Sequence, residues 1–280
     1  MNTQEFIIAA LAEDIGSGDH STLASIDAKV VGTAKLIVKE AGIIAGIRIA
    51  KEVFLHLDKE AVFTAFHTDG EYLEVGTIAF TVKAKAQAIL QAERLVLNTM
   101  QRMSGIATLT HSYVEKIKNY TTTILDTRKT TPLFRAFEKE AVLLGGAKNH
   151  RMGLYDMIML KDNHIDYCGG IEKAIAAANN YLKAQQLQLP IEVETRSLDD
   201  VKRVVKVGGV QRIMLDNFTP QEIEAALVLI NKQFETEASG GINFDTIEAY
   251  AATGVDFISV GAVIHHATSL DLSLKAVLHE

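Results

Sequence analysis

Ile191-Glu192-Val193-Glu194, Arg212-Ile213-Met214-Leu215-Asp216 and Glu235-Thr236-Glu237-Ala238-Ser239-Gly240-Gly241 are three short runs that begin about 21–23 residues apart. Helical patterns over 198–207 and 220–231 separate them. Strands alternating with helices at this spacing form βαβ units and a parallel sheet. The same rhythm extends outward. Strand-like runs fall at 124–125, 157–160, 191–193, 212–215, 235–238 and 256–258, with helical patterns at 133–144, 171–182 and 244–252. Six strands fall short of the eight of a complete barrel. No Gly-x-Gly-x-x-Gly follows a strand, which argues against a doubly wound sheet. The expected fold is an α/β protein with an incomplete barrel of about six or seven strands.

The first hundred residues read differently. Residues 30–39 and 78–83 are rich in β-branched side chains, 46–57 reads as a helix, and Asp69-Gly70 reads as a turn. A long helical pattern covers 86–118, with Ile89, Leu90, Leu95, Val96, Asn98, Thr99 and Met103 at helical intervals. Gly105 is expected to bend or break it. The reading is a small α+β domain over 1–110 including the linking helix, a barrel over 111–268, and a segment 269–280 that returns to the first domain.

Composition narrows the function. The 280 residues are 48% hydrophobic and 22% charged, with net charge -7 and no basic tail or stripe. That argues against nucleic acid as the main partner. The single Cys168 excludes an internal disulfide and fits a reducing cytoplasm. The N-terminus lacks the basic start of a signal peptide, and no early apolar run is long enough to span a membrane. The expected location is cytoplasmic.

Within this acidic chain, basic residues concentrate at Asp126-Thr127-Arg128-Lys129-Thr130-Thr131-Pro132, Lys148-Asn149-His150-Arg151 and Lys161-Asp162-Asn163-His164. Such a set suits a small molecule with several negative charges. Each strand-like run also stops at a polar residue: Asp126, Lys161, Glu194, Asp216, Ser239 and Ser259. Active sites of α/β barrels lie at this end of the strands. Lys161, Glu194 and Asp216 are therefore candidate functional groups. Ser239-Gly240-Gly241 and Val260-Gly261 follow the last two strands, where phosphate sites are frequent. The bland alternative is that these glycines only make tight turns. Glu194 and Asp216 offer hard oxygen ligands that suit Mg²⁺; otherwise each pairs with a nearby Lys or Arg. No His/Cys spacing fits zinc, and His265-His266 reads as surface or capping.

The ordered motifs resemble the quinolinate phosphoribosyltransferase family. They are Glu13-Asp14-x-Gly16-x-Gly18-Asp19, Asn98-x-x-x-Arg102-x-Ser104-Gly105, the 126–132 stretch, Asn149-His150-Arg151-x-Gly153, Lys161-Asp162-Asn163-His164, Glu192-Val193-Glu194, Leu215-Asp216-Asn217-Phe218, Ser239-Gly240-Gly241-Ile242 and Ser259-Val260-Gly261. The likeness spans nearly the whole chain. It implies phosphoribosyl transfer from phosphoribosyl pyrophosphate to quinolinate with decarboxylation, in de novo NAD biosynthesis, with Mg²⁺ as cofactor.

By this resemblance Arg102, Arg128, Lys129, His150, Arg151 and Lys161 line the quinolinate pocket, with Lys129 and Lys161 also near the pyrophosphate, and Thr127 is a further substrate-binding residue. Glu194 and Asp216 face the ribose and the metal; Ser239, Gly240, Gly241, Val260 and Gly261 cradle the 5′-phosphate. Lys129, Lys161, Glu194 and Asp216 are the expected catalytic groups. The resemblance also implies an open barrel and a homodimer, or a multiple of it, in which Arg102 reaches the neighbouring site. The chain departs from the family pattern at Leu133, where Gly is expected, at Ala147, and at Ile264 and His266. Three rivals stay open: a homologue related to molybdenum transport, a Schiff-base lyase using Lys161, and a phosphosugar-binding protein without turnover.

Overall fold

The computed structural model describes residues 2–277. In chain order, α1 (Thr3–Ile15), α2 (His20–Ser25), β1 (Val31–Val38), β2 (Gly42–Ile43), α3 (Ile47–Leu57), β3 (Val62–Ala65), β4 (Tyr72–Leu73), β5 (Ile78–Lys85) and α4 (Ala86–Lys116) lead to β6 (Thr123–Leu125) and α5 (Arg135–Leu144). Then come β7 (Ile158–Leu160), α6 (Asp162–Cys168), α7 (Ile171–Gln185), β8 (Ile191–Thr195), α8 (Leu198–Val207), β9 (Arg212–Asp216) and α9 (Pro220–Ile230). The last elements are β10 (Glu235–Ser239), α10 (Ile247–Ala251), β11 (Phe257–Ser259), α11 (Ala262–His265) and β12 (Leu272–Ala276). By packing, one unit holds the chain up to His111, Thr131–Gly146, and the chain from His266 onward. The other holds Ser112–Thr130 and Ala147–His265.

The first unit is built on a four-stranded antiparallel sheet in the order β12-β1-β5-β3. Burial alternates along the second half of β1, so Ala34, Leu36 and Val38 enter the core. Phe80 and Val82 of β5 and Phe54 of α3 are fully buried. Burying a side chain of this size contributes on the order of 2–3 kcal/mol. β12 pairs with β1 through Ala34↔Ala276 to Val38↔Leu272.

The packing boundaries correct the expected ones at 131–146, which group with the first unit rather than with the barrel. The physical reason is tertiary: the Phe137 ring of α5 lies 4.6 Å from Phe6, and Arg48 pairs with Glu140 at 3.0 Å. Gly105 also corrects an expectation, since α4 runs through it unbroken. A Cβ there would lie 1.8 Å from the Thr268 carbonyl oxygen. The glycine admits a neighbouring backbone rather than ending the helix. The 244–252 helix is shorter than expected, because 244–246 form a turn held by Asn243 and α-helix starts at Ile247.

The second unit carries six parallel strands in the order β6-β11-β10-β9-β8-β7. The first strand pairs with the last, which is the ring connectivity of a barrel, and β6 does not pair with β7. An isolated parallel bridge from Leu125 to Lys148 occupies the free side of β6. The expected open, barrel-like architecture is the observed one. Because all six strands run the same way, their C-terminal residues collect at one edge.

Register then sorts the side chains. Glu192 stands opposite Arg212, Glu194 opposite Met214, Glu237 opposite Met214 and Phe257, and Ser239 opposite Asp216. Paired residues share a face, so the charged residues of β8, β9 and β10 all lie on one side. Val193, Ile213, Leu215, Ala238 and Ile258 form the other face and are fully buried. Capped helices follow the strands: Ser197 starts α8, and Thr219 with Glu222 forms a capping box before Pro220 of α9.

Two substitutions check this packing. Gly105→Ala should destabilise the protein by about 3 kcal/mol, read as a Tm fall of roughly 6 °C or more. Leu133 sits at φ 64° and is 75% exposed, so the residue that departs from the family's glycine occupies a left-handed conformation that glycine adopts without strain. Leu133→Gly should therefore raise stability by about 1 kcal/mol in a denaturant melt.

Candidate active site

The edge formed by the strand C-termini gathers nearly all the residues singled out above. Thr127, Arg128, Lys129, His150, Arg151, Lys161, Glu194, Asp216, Ser239, Gly240, Gly241, Val260 and Gly261 all belong to the second unit. Arg102 belongs to the first.

Asp126 begins the cationic side. It is fully buried at the end of β6, and its Oδ1 accepts the His150 backbone N–H at 2.8 Å. Its own N–H donates to the Lys148 carbonyl at 3.1 Å. Two separate sequence clusters, 126–130 and 148–151, are thereby clamped side by side. Thr127 Oγ1 accepts the Lys129 N–H at 3.1 Å and orders that turn.

Beyond the clamp, Arg151 donates to the Met157 carbonyl at 3.2 Å. Burial, and then the neighbouring charge of Arg128, pull the Arg151 guanidinium below its ordinary pKa. Glu192 and Asp156 oppose this without cancelling it. Neither Arg128 nor Lys129 pairs with a carboxylate among the described residues. An exposed Arg128 whose charge acts on a half-buried Arg151 favours an anion with two acceptor groups.

His150 lies between this cationic rim and the polar face of the sheet. Its Nε2 is 2.9 Å from Glu192 Oε2 and 3.4 Å from Glu237 Oε2. Glu237 also accepts from Ser259 Oγ and from Arg212 Nη1. Burial lowers the His150 pKa, but the two carboxylates outweigh it and push it up to about 9. Burial raises Glu192, and the Glu237 charge adds to the rise. Glu237 is held down, since His150, Ser259 and Arg212 overcome its burial. His150 Nδ1 is 2.6 Å from the Arg151 backbone N–H, an arrangement that suits an unprotonated Nδ1. That contact joins consecutive residues and follows from the rotamer, so the carboxylates dominate.

His150, Glu192 and Glu237 also approach one another as metal ligands would. Arg212 and a protonated His150 already match the two carboxylates in charge, so the cluster needs no cation. Glu192, Glu237 and Arg212 are the residues that sequence reading missed as parts of the site. The alternating pattern of charges within 191–194, 212–216 and 235–239 was their only signal.

The anionic side is formed by β8 and β9. Burial raises the Glu194 carboxyl, and the Asp216 charge raises it further. Lys161 Nζ, 3.8 Å away, partly opposes this. Asn217, at φ 59°, donates to Asp216 at 2.7 Å and turns the chain back toward Ser239. Two mutually repelling carboxylates at the mouth are a donor set that a divalent cation relieves, so they fit Mg²⁺. Lys161 is half exposed beside a carboxylate, whereas Schiff-base lysines occupy desolvated or cationic pockets.

The two glycine turns close the ring. Gly240 and Gly241 have φ 96° and 65°. A Cβ on Gly240 would lie 2.3 Å from Asn217 Oδ1, so no larger residue fits without displacing Asn217. Gly261 starts the turn into α11, and a Cβ there would lie 3.2 Å from Lys129 Cδ. Lys129 therefore passes directly over the Val260-Gly261 turn.

In the first unit, the Arg102 guanidinium is held by Glu138. Nε and Nη2 donate to Glu138 Oε1 at 3.0 and 2.8 Å, and Nη1 donates to the Ala267 carbonyl at 2.8 Å. Glu138 is fully buried and also accepts from the Thr131 N–H and hydroxyl. Of the other departures from the family pattern, Ala147 and Ile264 are buried apolar residues.

Comparison with known proteins places these features. Family models of the quinolinate phosphoribosyl transferase N-terminal and C-terminal domains match residues 19–104 and 106–275. The chloroplastic nicotinate-nucleotide pyrophosphorylase [carboxylating] of Oryza sativa is 44% identical over 95% of this chain and 75% of its own. The Arabidopsis thaliana protein of the same name is 43% identical over 95% and 80%. Among solved structures, NadC from Streptococcus pyogenes superposes with a TM-score of 0.92 at 40% identity, covering 97% of this chain and 95% of the other. The nicotinate-nucleotide pyrophosphorylase from Francisella tularensis gives 0.92 at 38%, covering 98% and 96%. Neighbouring arginines, a carboxylate pair and two glycine turns on an open parallel sheet thus sit in a sequence whose residues 19–104 and 106–275 match the family models, and the chain belongs to the quinolinate phosphoribosyltransferase family.

Proposed function

We propose that the strand-end site of the second unit carries out the family's reaction. The chain is a phosphoribosyltransferase that joins quinolinate to the phosphoribosyl group of phosphoribosyl pyrophosphate and releases pyrophosphate and CO₂. The product is nicotinate mononucleotide, in de novo NAD biosynthesis. The observation that best supports this siting is the Arg128–Arg151 pair: burial and then the Arg128 charge lower the Arg151 pKa. Quinolinate is a pyridine with two adjacent carboxylates. It supplies two adjacent anionic acceptors, which suit two guanidinium forks and the His150 ring.

The chemistry follows from charge placement. The pyridine nitrogen attacks the anomeric carbon of the ribose as pyrophosphate leaves. Positive charge that develops on the sugar is stabilised by Glu194 and Asp216, while Lys129 and Lys161 receive the departing pyrophosphate. The carboxylate beside the quaternised ring nitrogen then leaves as CO₂; the electron pair of the broken C–C bond stays on the ring carbon, stabilised by the adjacent positive nitrogen, and that carbon takes up a proton from solvent to give the product. Positioning accounts for much of the rate, because both reactants are held on one edge. The Ser239-Gly240-Gly241 and Val260-Gly261 turns present backbone N–H groups to the 5′-phosphate. Glu194 and Asp216 would hold Mg²⁺, which neutralises pyrophosphate charge when bound.

The active form in this reading is a homodimer, or a multiple of it, in which Arg102 completes the neighbouring pocket. The prior orientation of its guanidinium by Glu138 and the Ala267 carbonyl supports such a role. No helix among the described residues is long and apolar enough to cross a membrane. With its single cysteine, the chain is read as acting in the cytoplasm.

The deciding measurement is CO₂ release from quinolinate. It should require both phosphoribosyl pyrophosphate and Mg²⁺, and no release under any condition would overturn the reading. Glu194→Ala combined with Asp216→Ala should reduce kcat on the order of 10²–10³-fold, with the Tm little changed. Undiminished turnover in that double variant would remove these residues from the metal site.

A further inference from the structure

Behind the site, the polar face of the sheet carries a chain of buried charges that the reaction itself does not touch. Glu237, in the middle of β10, is at its centre and fully buried. Its Oε1 accepts from Ser259 Oγ, the residue just before the Val260-Gly261 turn. Its Oε2 accepts from Arg212 Nη1 at 2.9 Å and faces His150 Nε2 at 3.4 Å.

Arg212 is itself locked. Its Nε and Nη2 donate to Glu235 at 3.1 and 2.9 Å, and its guanidinium stacks over the Phe257 ring at 4.1 Å. Arg212 and Glu235 begin their strands, whereas Ser259 ends one. The chain of contacts therefore runs along the sheet from its N-terminal edge to the site. A rigid guanidinium anchors the carboxylate, and the carboxylate holds the imidazole and the turn.

We propose that Glu237 is a positioning residue that holds the His150 ring in register with the quinolinate pocket and ties it to the Ser259-Val260-Gly261 turn, with Arg212 as its anchor. This rests on the placement of quinolinate against His150. A carboxylate held by two hydrogen-bond donors has little freedom, and at 3.4 Å it faces His150 Nε2 from a fixed position, so the ring is oriented before substrate arrives. The raised pKa of His150 agrees with this, because a cationic ring is the better carboxylate partner.

The test is calorimetric titration of quinolinate into the full chain, together with steady-state KM values for both substrates. Glu237→Gln keeps the volume and removes the charge. The amide oxygen can still accept from Ser259 Oγ and keep the turn in place, so the substitution should raise the quinolinate Kd and KM by about tenfold and leave the phosphoribosyl pyrophosphate KM within roughly twofold. In a cycle with His150→Ala, the double variant should bind quinolinate no worse than His150→Ala alone.

Unchanged quinolinate binding, equal losses for both substrates, or multiplicative effects in the cycle would each overturn the proposal. If Glu237→Gln fails to fold, Arg212→Lys takes its place, and the quinolinate Kd should rise about threefold. No rise there overturns the proposal equally. A wild-type chain that binds no quinolinate would refute the functional reading itself, and that result is separate from wild-type binding with unaffected variants.

Discussion

The second unit depends on the burial of charge on one face of a parallel sheet. Glu192, Glu237 and Arg212 lie where a barrel of ordinary composition carries branched aliphatic side chains. Isolated, each would cost several kcal/mol to bury. Together with His150 they form a set of matched charges at hydrogen-bond and ion-pair distances. Parallel register makes this possible, because it places Glu192 beside Arg212 and Glu235 beside the same residue. A slip of one residue would turn every one of these charges toward the apolar helix-facing side.

The division of labour at the site follows from the same geometry. Cations come from the loops around β6 and β7, where Asp126 clamps one cluster to the other. Carboxylates come from the ends of β8 and β9, and glycine turns from the ends of β10 and β11. Each class of group thus occupies its own arc of the strand-end edge. A substrate with separated carboxylate, ribose and phosphate portions meets a matching sequence of partners. The glycines are functional in a steric sense, since Gly240 and Gly261 lie where a Cβ would displace Asn217 or press on Lys129.

Much of this was legible without coordinates. Strand–helix alternation at about 21–23 residues gave the parallel sheet, and the polar residue ending each strand marked the site. Those signals are local: strand periodicity, capping and turn chemistry each depend on a few neighbouring residues. Capping at Ser197 and Thr219 shows this, because the motif and the helix start coincide. Gly105 shows the limit. Its composition signalled a helix break, but its role is set by Thr268, far along the chain. Glu138 was unremarkable in sequence for the same reason, since its partners Arg102, Thr131 and the 131–146 packing are non-local.

The sequence by itself determined the family, the fold class and the residue types that gather at the strand-end edge, because motif residues keep their chemistry wherever they are placed. It did not determine which carboxylates stand at the mouth and which are buried against one another. Glu192 and Glu194 are two positions apart on one strand. Glu194 reaches the mouth beside Lys161, while Glu192 is buried against His150. Only the tertiary structure makes that distinction. Depth along a strand, the register of its neighbours and the exclusion of water decide the role of a charge, and all three are properties of the assembled sheet.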